Sequence, residues 1–531
     1  MPVSMEDERA DCADAWNKAS AYRQELAEIY RYYMPYRQST SQQSPTTGGP
    51  SEGQSRTDHL YDATGMAGAF NFASQMVADW LPPFQNFFKL EAGPFVPEDQ
   101  RADLNRQLAA VTELAHAVIR PRVPLVAHEV MADLFCGTGS MYTATGTDRQ
   151  PMQAEAVPIS EIALGSGPSN EIWDHFWKRK YKTRHLEAKW PDGKFSKTMM
   201  SRMKVRTDEV DIVQSMRYDP REDNWILRVY AECDKPDDVI WTETFRVNRF
   251  ITPRFFVVPG ESMGRGLAHL GLAFVRGASK ARELSLRAAA FALMGVWMRR
   301  NDGVFNPDTA VFEPLAMWTV GSTGGPLGPS LSRLPIPSDF DISSIVQKDE
   351  RDQINKVLLN DDLPELQDSV RSPTEIAARL RKAAKSKGGA AARISIELVT
   401  ALVQATVDIL EKKRLLASNV TIDNILTKAT ITSPAAASQR ADKVQWATDW
   451  MQIILGTMGP AALPQLAKVD ELLPDIGRWL GNDEKYIPTK AEMKDFKTLV
   501  AQMVAKMQVE QQQVKAPPPQ PGSQFVNGSA F

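Results

Sequence analysis

The residues best typed for chemistry lie in Leu134–Gly146, which reads LFCGTGSMYTATG. Cys136 could act as a nucleophile, and Gly137-Thr-Gly139 could cradle a phosphate. A thiol nucleophile needs a base beside it, and a phosphate loop needs a helix opening directly after its glycines. No catalytic base flanks Cys136, and residues of strand type follow Gly139. The pattern Gly-x-x-x-x-Gly-Lys-Ser/Thr occurs nowhere in the chain. A helix stopped by Gly137 and turning into a strand is the reading these residues favour. His59, His116, His128, His175, His185 and His269 show no metal-ligand spacing. Gly-x-Ser-x-Gly and Asp-x-Asp-x-Asp-Gly are absent too. The carboxylate pairs Asp237-Asp238 and Asp361-Asp362 sit beside prolines in turns, where capping accounts for them. No enzyme is expected, and no cofactor or metal.

Positioning elements dominate instead. Gly264–Met298 (GRGLAHLGLAFVRGASKARELSLRAAAFALMGVWM) contains no proline and reads as one helix roughly 50 Å long. At 100° per residue, Arg265, His269, Arg276, Lys280 and Arg287 share one stripe. Leu267, Phe274, Ala278, Ala281, Ser285, Ala288, Ala292 and Val296 lie opposite. Seven basic residues against Glu283 give Gly264–Arg300 a net charge of +6. A solvated surface helix would explain a shorter stretch. A rod this long and one-sided calls for a partner along its length. Gly271, Gly277 and Gly295 each cost about 1 kcal/mol against Ala, so a bend near Gly277 is allowed.

The chain has 531 residues, 43% hydrophobic content and a net charge of −3, so cores are affordable and any nucleic-acid contact must be local. The longest uncharged apolar run after Arg287 is the 11 residues Ala288–Met298, short of the ~20 that cross a bilayer. The acidic N-terminus lacks the apolar core of a signal peptide. Cys12, Cys136 and Cys233 show no pairing pattern, which suits a reducing compartment.

In chain order, helices are expected at Met5–Tyr36, Ala63–Trp80, Glu98–Ile119 and Pro124–Phe135, with helical or mixed stretches around Glu171–Arg184. Strand-type runs follow at Glu209–Tyr218, Trp225–Cys233, Val239–Val247 and Arg254–Val258, separated by Asp/Pro turns, as in an antiparallel meander. After the long helix, Arg299–Phe340 is a Gly/Pro-rich insertion. Asp341–Leu363 resumes helix, and seven acidic against three basic residues give Asp339–Asp362 a charge of −4. Gln367–Arg393 swings to +5. A helix from Ser372 reaches Leu416, with Gly388-Gly389 as a bend. Helices are also expected at Pro434–Leu455, Pro464–Leu473, Pro474–Leu480 and Thr489–Gln513, before a Pro/Gly/Ser-rich tail at 514–531.

This order resembles the portal protein, or head-to-tail connector, of short-tailed bacteriophages (podoviruses). The resemblance runs from about residue 15 to about 480 and rests on several short motifs. They are Tyr61-Asp-Ala-Thr-Gly65, Leu81-Pro82-Pro83, Phe87-Phe88-Lys89-Leu90, Gly137-Thr-Gly139, Met263-Gly-Arg-Gly266 and Thr374-Glu375-Ile376. Met263 stands where the family has an aromatic residue. The resemblance implies an α+β, mainly α, portal fold in a ring of twelve subunits at one capsid vertex. Residues 1–263 would form the wing, 264–298 and 341–363 the two stem helices, and 299–340 the clip. Residues 364–433 would hold the tunnel loop and a long wing helix, 434–485 the crown, and 486–513 a C-terminal helix able to join a barrel.

Implied partners are further copies of the chain, double-stranded DNA, terminase, tail adaptor or nozzle proteins, and the major capsid and scaffolding or internal core proteins, with no membrane. Arg371, Arg379 and Lys382 would face the channel. Arg276, Lys280 and Arg287 would meet Asp349, Glu350 and Asp352 of a neighbouring stem. Arg299, Arg300 and Arg333 would receive the docking motor. The competing readings are another structural virion protein (tail tube or scaffold), a DNA-processing enzyme such as a terminase, and a DNA-binding protein that forms no ring.

Overall fold

The computed structural model describes residues 4–37, 56–205, 208–233, 235, 238–294, 297–299, 331–333, 340–360, 388–416, 427–458 and 469–479, together with Glu492, Met493 and Thr498. The helices are α1 (Met5–Lys18), α2 (Ser20–Tyr33), α3 (Thr64–Trp80), α4 (Glu98–Ile119), α5 (Val123–Phe135), α6 (Leu186–Lys189), α7 (Lys197–Met203), α8 (Leu267–Met294), α9 (Phe340–Val357), α10 (Gly388–Ile394), α11 (Ala401–Lys412), α12 (Pro434–Met458) and α13 (Val469–Trp479). The strands are β1 (Phe88–Ala92), β2 (Met141–Thr145), β3 (Met152–Ala156), β4 (Ile162–Ser166), β5 (Ile172–Lys182), β6 (Glu209–Asp219), β7 (Asn224–Ala231), β8 (Trp241–Phe245), β9 (Phe250–Ile251), β10 (Trp297–Arg299), β11 (Leu331–Arg333) and β12 (Thr427–Ile431). The class is α+β, with helix outweighing strand among the described residues.

Two compact units divide the chain: residues 1–88 with 112–422, and residues 89–111 with 423–531. In the first, an antiparallel sheet of order β4-β5-β6-β7-β8 holds the meander, and β3-β2-β9 forms a smaller sheet. Arg254–Val258, expected as a further strand, makes only isolated bridges at Arg254 and Phe256. The Glu171–Arg184 expectation is corrected. Its core is the 11-residue strand β5, paired with β6 from Asp174↔Arg217 to Lys182↔Glu209. His175, Phe176 and Trp177 are all buried there, so neither side of the strand shows the polar alternation that marks one exposed face.

Helix α1 packs on this sheet through Cys12 and Ala15, which join Ala163, Phe176, Val213 and Tyr230 in one apolar cluster. Cys12 is therefore a packing residue. In the second unit β1 pairs with β12, Thr430 Oγ1 donates to Glu91 at 2.7 Å, and α12 packs with α13. Where two helices were expected to meet at Pro474, α13 runs through that proline.

Ion pairs pin sequence-distant segments to the first unit. Arg228 holds Glu8, Arg37 holds Asp133 at 2.8 Å, Arg249 holds Asp408, and Arg254 holds Glu397 at 3.0 Å. Glu397 also accepts the Arg254 backbone N–H at 2.8 Å. It lies in a π-helical turn, Ser395–Thr400, that joins α10 to α11. The expected bend at Gly388-Gly389 falls at the edge of the described residues, which resume at Gly388; an irregular turn lies seven residues later.

His175 adds a pH dependence. Burial, reinforced by the Arg254 guanidinium, holds its imidazole down at about 3. Its ring stacks on Phe250 at 5.3 Å. An unfolded chain takes up this proton near pH 6.5 and the folded one does not, so stability is complete above that value. It falls as the pH drops from about 6.5 toward 3, by about 1.4 kcal/mol per unit for this one group. Urea midpoints measured from pH 7 to 4 should slope accordingly, and His175→Phe should flatten the slope. An unchanged slope in that variant would show that His175 is not the cause.

Candidate functional site

The site is the root of the long helix, where two of the sequence motifs meet and a third packs on the same helix further along, at Val275 and Ser279. Helix α5 ends in Cys136 and Gly137, the latter at φ +125°, a conformation L side chains rarely adopt. Gly264 donates its N–H to Thr138 Oγ1 at 2.7 Å. Phe255 N–H reaches Gly137 O at 2.8 Å, and Gly139 N–H reaches Pro253 O at 3.0 Å. Arg265 and Phe256 exchange backbone bonds at 2.8 and 3.0 Å. A Cβ on Gly266 would lie 2.1 Å from Phe135 O, and one on Gly137 would lie 2.1 Å from Gly264 O. Backbone therefore touches backbone where Gly137-Thr-Gly139 meets Met263-Gly-Arg-Gly266.

Tyr61-Asp-Ala-Thr-Gly65 arrives from the other direction. Asp62 Oδ1 accepts the Thr64 N–H at 2.9 Å at the start of α3, and its Oδ2 takes Arg351 of α9 at 2.8 Å. A side chain on Gly65 would meet Val275 of α8 at 2.8 Å. Asp62 was not singled out in the sequence. Its position two residues before Thr64 is the Asx-type signal that could have found it.

From this root α8 and α9 pair antiparallel. Gly271 faces Val357 and Leu358, whereas Arg282 and Ser285 both bond Gln347 at 3.2 and 2.7 Å. Beyond them β10 and β11 continue the pairing, with Trp297 opposite Arg333 and Arg299 opposite Leu331. The long helix is shorter than the Gly264–Met298 expected, since its last residues become β10.

The expected apolar side of α8 is also revised, because it splits into two seams. Leu267, Ala268, Leu272, Val275 and Ala278 are buried. Leu270, Phe274, Leu284 and Ala288 are exposed, and with Gly277 and Ala281 they follow a four–three spacing along the outer surface. One helix thus carries an inner seam that is filled and an outer seam left largely exposed among the described residues.

The expected stem cations have partners within the chain. Arg276 pairs with Glu28 of α2 at 3.0 Å. Lys280 and Arg287 share Glu283, at 2.9 and 2.5 Å. On α9, Asp349 accepts from Gln353 at 2.8 Å, and Glu350 has one buried carboxylate oxygen without a partner. Asp352 is exposed. Arg300, Arg371, Arg379 and Lys382 lie outside the described residues. So do Thr374-Glu375-Ile376 and the acidic pair Asp361-Asp362.

Cys136 is completely buried, with its thiol pushed well up by burial and by nearby Asp133, and its carbonyl accepts the Tyr22 hydroxyl at 3.0 Å. Both features suit a packing role and an inert thiol. His269 sits at the first turn of α8, where its Nδ1 accepts the Gly266 N–H at 3.4 Å. Burial lowers its pKa, opposed by Glu25. A cavity of about 410 Å³ lies elsewhere in this unit and is lined by Trp225, Arg246, Gln404, Asp408 and Glu411 among others. It contains none of the expected site residues. Among the described residues no group of three His, Cys, Asp or Glu could hold a metal ion, and no helix is long and apolar enough to cross a membrane.

No curated protein matches the chain. Among solved structures it is similar to a chain from the virion of a native gene transfer agent particle. That likeness has 11% identity and a TM-score of 0.34, covering 80% of this chain and 96% of the other. The family described as bacteriophage head to tail connecting protein matches residues 9–487, a span that takes in all three of these motifs. The chain belongs to that family of head-to-tail connecting proteins.

Proposed function

We propose that the chain is the portal subunit of a short-tailed bacteriophage, assembling twelve-fold at one capsid vertex around a channel for double-stranded DNA. Membership of the connector family supports this reading. The observation that carries the ring is the empty outer seam of α8, Leu270–Phe274–Gly277–Ala281–Leu284–Ala288. A cyclic ring joins two different surfaces of each copy. The outer side of the neighbour's α9 is the counter-surface, with Val346 for apolar contact and Asp349, Glu350 and Asp352 within reach of Arg276, Lys280 and Arg287. These exposed ion pairs contribute about 0–1 kcal/mol each, so the apolar seam supplies most of the association energy.

In this reading α8 and α9 are the stem, and β10–β11 belong to the clip. Arg299, Arg300 and Arg333 there meet the terminase during packaging and tail adaptors afterwards. Capsid and scaffolding proteins contact the wing. Arg371, Arg379 and Lys382 face the channel, where they meet phosphates without reading bases. Such contacts are sequence-independent and salt-dependent, which lets DNA slide past them. The subunit itself performs no catalysis, and the docked motor supplies the packaging energy.

Negative-stain images of the purified protein should show rings with a central hole, and light scattering about twelve times 59.1 kDa, roughly 700 kDa. Phe274→Glu with Leu284→Glu should reduce the species to one subunit that keeps the parental far-UV circular dichroism and melts lower, having lost the stabilisation that association gives. A parent protein that stays monomeric at every salt and concentration would overturn the ring. Rings that survive both substitutions would overturn the seam alone.

A further inference from the structure

Helix α1 lies on one face of the five-stranded sheet through a contact with a small apolar centre and a buried charge. The register of β5, β6 and β7 puts Phe176, Val213, Ser215, Arg228 and Tyr230 on that face. Against them α1 buries two small side chains, Cys12 and Ala15, flanked by the partly buried Met5 and Trp16. Glu8 is 1% exposed; one of its carboxylate oxygens takes Arg228, and the other is buried with no partner among the described residues. Ser215 lies directly across the ladder from Arg228, and its hydroxyl is buried and unpartnered as well. Taking a charge pair out of water gains little or nothing net, and each stranded polar atom adds a cost. Asp11 with Arg217 at 2.9 Å and Arg9 over the Tyr230 ring at 4.7 Å stay partly in water and contribute less. The hold on α1 is therefore weak beside that on the strands below it.

The helix is also built to move as one body. Ser4 caps its first turn by accepting the Asp7 N–H at 3.1 Å, Glu6 and Asp7 follow, and Lys18 lies in the last turn. Ends matched in this way to the helix dipole favour release as a helix over unravelling from the terminus. Helix α2 is fixed independently, with Leu26, Ile29 and Tyr33 buried and the Tyr22 hydroxyl donating to Cys136 O at 3.0 Å. Arg23 of α2 donates to Trp16 O at 2.9 Å and to Ile162 O at 3.2 Å, which ties the last turn of α1 to α2 and to β4. The free body is thus Met5–Ala15, and its pivot is Trp16–Ala19, where the two helices break.

We propose that α1 is a detachable strap: Met5–Ala15 leaves the sheet as one body, pivoting at Trp16–Ala19, while β4–β8 and α2 stay folded. Opening bares the Phe176, Val213 and Tyr230 surface that Cys12 and Ala15 otherwise fill, and it brings the Cys12 thiol into water. The buried Glu8–Arg228 pair and the stranded Ser215 hydroxyl keep the closed state shallow. The strap operates within one copy and does not depend on the ring.

The cysteines of the full-length protein report on it, because Cys233 is exposed, Cys12 lies under α1 and Cys136 is buried at the root of α8. With excess N-ethylmaleimide, peptide mass spectrometry should find Cys233 labelled first. Cys12 should follow, at least about a hundredfold faster than Cys136, as a local opening precedes a global one. Its rate should also rise less steeply with urea than that of Cys136, since less surface is exposed. A common rate and slope for Cys12 and Cys136 would overturn the strap. Amide exchange in the same protein separates release from fraying: residues 9–15 should share one rate, and rates that fall stepwise inward from Ser4 would overturn it. Glu8→Leu with Arg228→Met, which removes the buried pair, should slow Cys12 labelling about tenfold, with the Cys136 rate showing that the rest is folded. Labelling that is unchanged or faster in that variant would overturn the part assigned to the buried pair.

Discussion

Gly266→Ala should cost about 3 kcal/mol, the upper end of what overpacking usually costs, because its new Cβ meets only backbone. Its Cβ would be placed 2.1 Å from Phe135 O and 2.5 Å from Gly137 N, both backbone atoms that no rotamer change can move. Retreat is blocked on each side by the Gly264–Thr138 bond and by the Arg265–Phe256 bridge. Gly137→Ala should be comparably severe, because it combines a clash of the same depth with strain at φ +125°. Backbone strain of about 1–3 kcal/mol adds there to an overpacking cost of similar size. The two changes crowd one gap, so the double variant should lose less than the sum of the singles. Gly456→Ala, inside α12, is the control: its Cβ meets nothing within 4 Å, and it should gain up to about 1 kcal/mol from helix propensity. Thermal melts of the four proteins decide the matter. A Gly266→Ala protein that melts with the parent would mean the junction is looser than its geometry.

Asp408→Ala should destabilise the first unit by about 3–5 kcal/mol, the usual consequence of stranding a buried charge. Arg249 is fully buried, its guanidinium 4.8 Å from the Phe245 ring centre and bonded to Ala405 O at 3.1 Å. Burial lowers its pKa, and the Asp408 carboxylate opposes that shift. Without Asp408 the cation keeps one carbonyl and an aromatic ring against a large desolvation penalty. Replacing both members, Arg249→Met with Asp408→Leu, should recover most of the loss, because an apolar pair of similar volume incurs no such penalty. Urea unfolding of the two proteins gives the comparison. If the double variant is as unstable as Asp408→Ala, the penalty lies in packing and the charge is incidental.

Much of the helical framework was legible in the sequence. The proline-free run with Arg265, Arg276, Lys280 and Arg287 on one stripe marks α8 as a long helix, and the turn at Asp219–Asn224 marks the β6–β7 hairpin. Met5–Tyr36 reads as one helix because it holds no glycine or proline before Pro35. Yet the helix breaks at Ala19, where Arg23 donates to Trp16 O at 2.9 Å and lies 3.6 Å over the Trp16 ring. That side chain takes the carbonyl the helix would have used, a tertiary choice that propensity does not record. Strand β5 was hidden by its run of three buried side chains followed by Lys178, Arg179 and Lys180. The first two of these cations find Glu232 at 2.8 Å and Glu155 at 3.6 Å. The glycine motifs were visible as motifs, but their mutual contact joins residues 127 positions apart (264 minus 137). Periodicity along the chain carries no record of such a meeting. The two seams of α8 were merged for a related reason: small and large apolar residues on adjacent sides look alike until one side is filled.

The long-range ion pairs also set a timetable at the ribosome. Glu8 is 1% exposed and its partner Arg228 is 220 residues downstream. At about 5–20 residues per second, that partner emerges roughly 11–44 s after Glu8. Arg249 then waits for Asp408 across a further 159 residues. The N-terminal half of each pair is made long before its counterpart, so α1 cannot settle while most of its sheet is still untranslated. Helix α1 is made before its sheet and is secured only after it. During that interval its apolar face is open to chaperones and to other nascent chains.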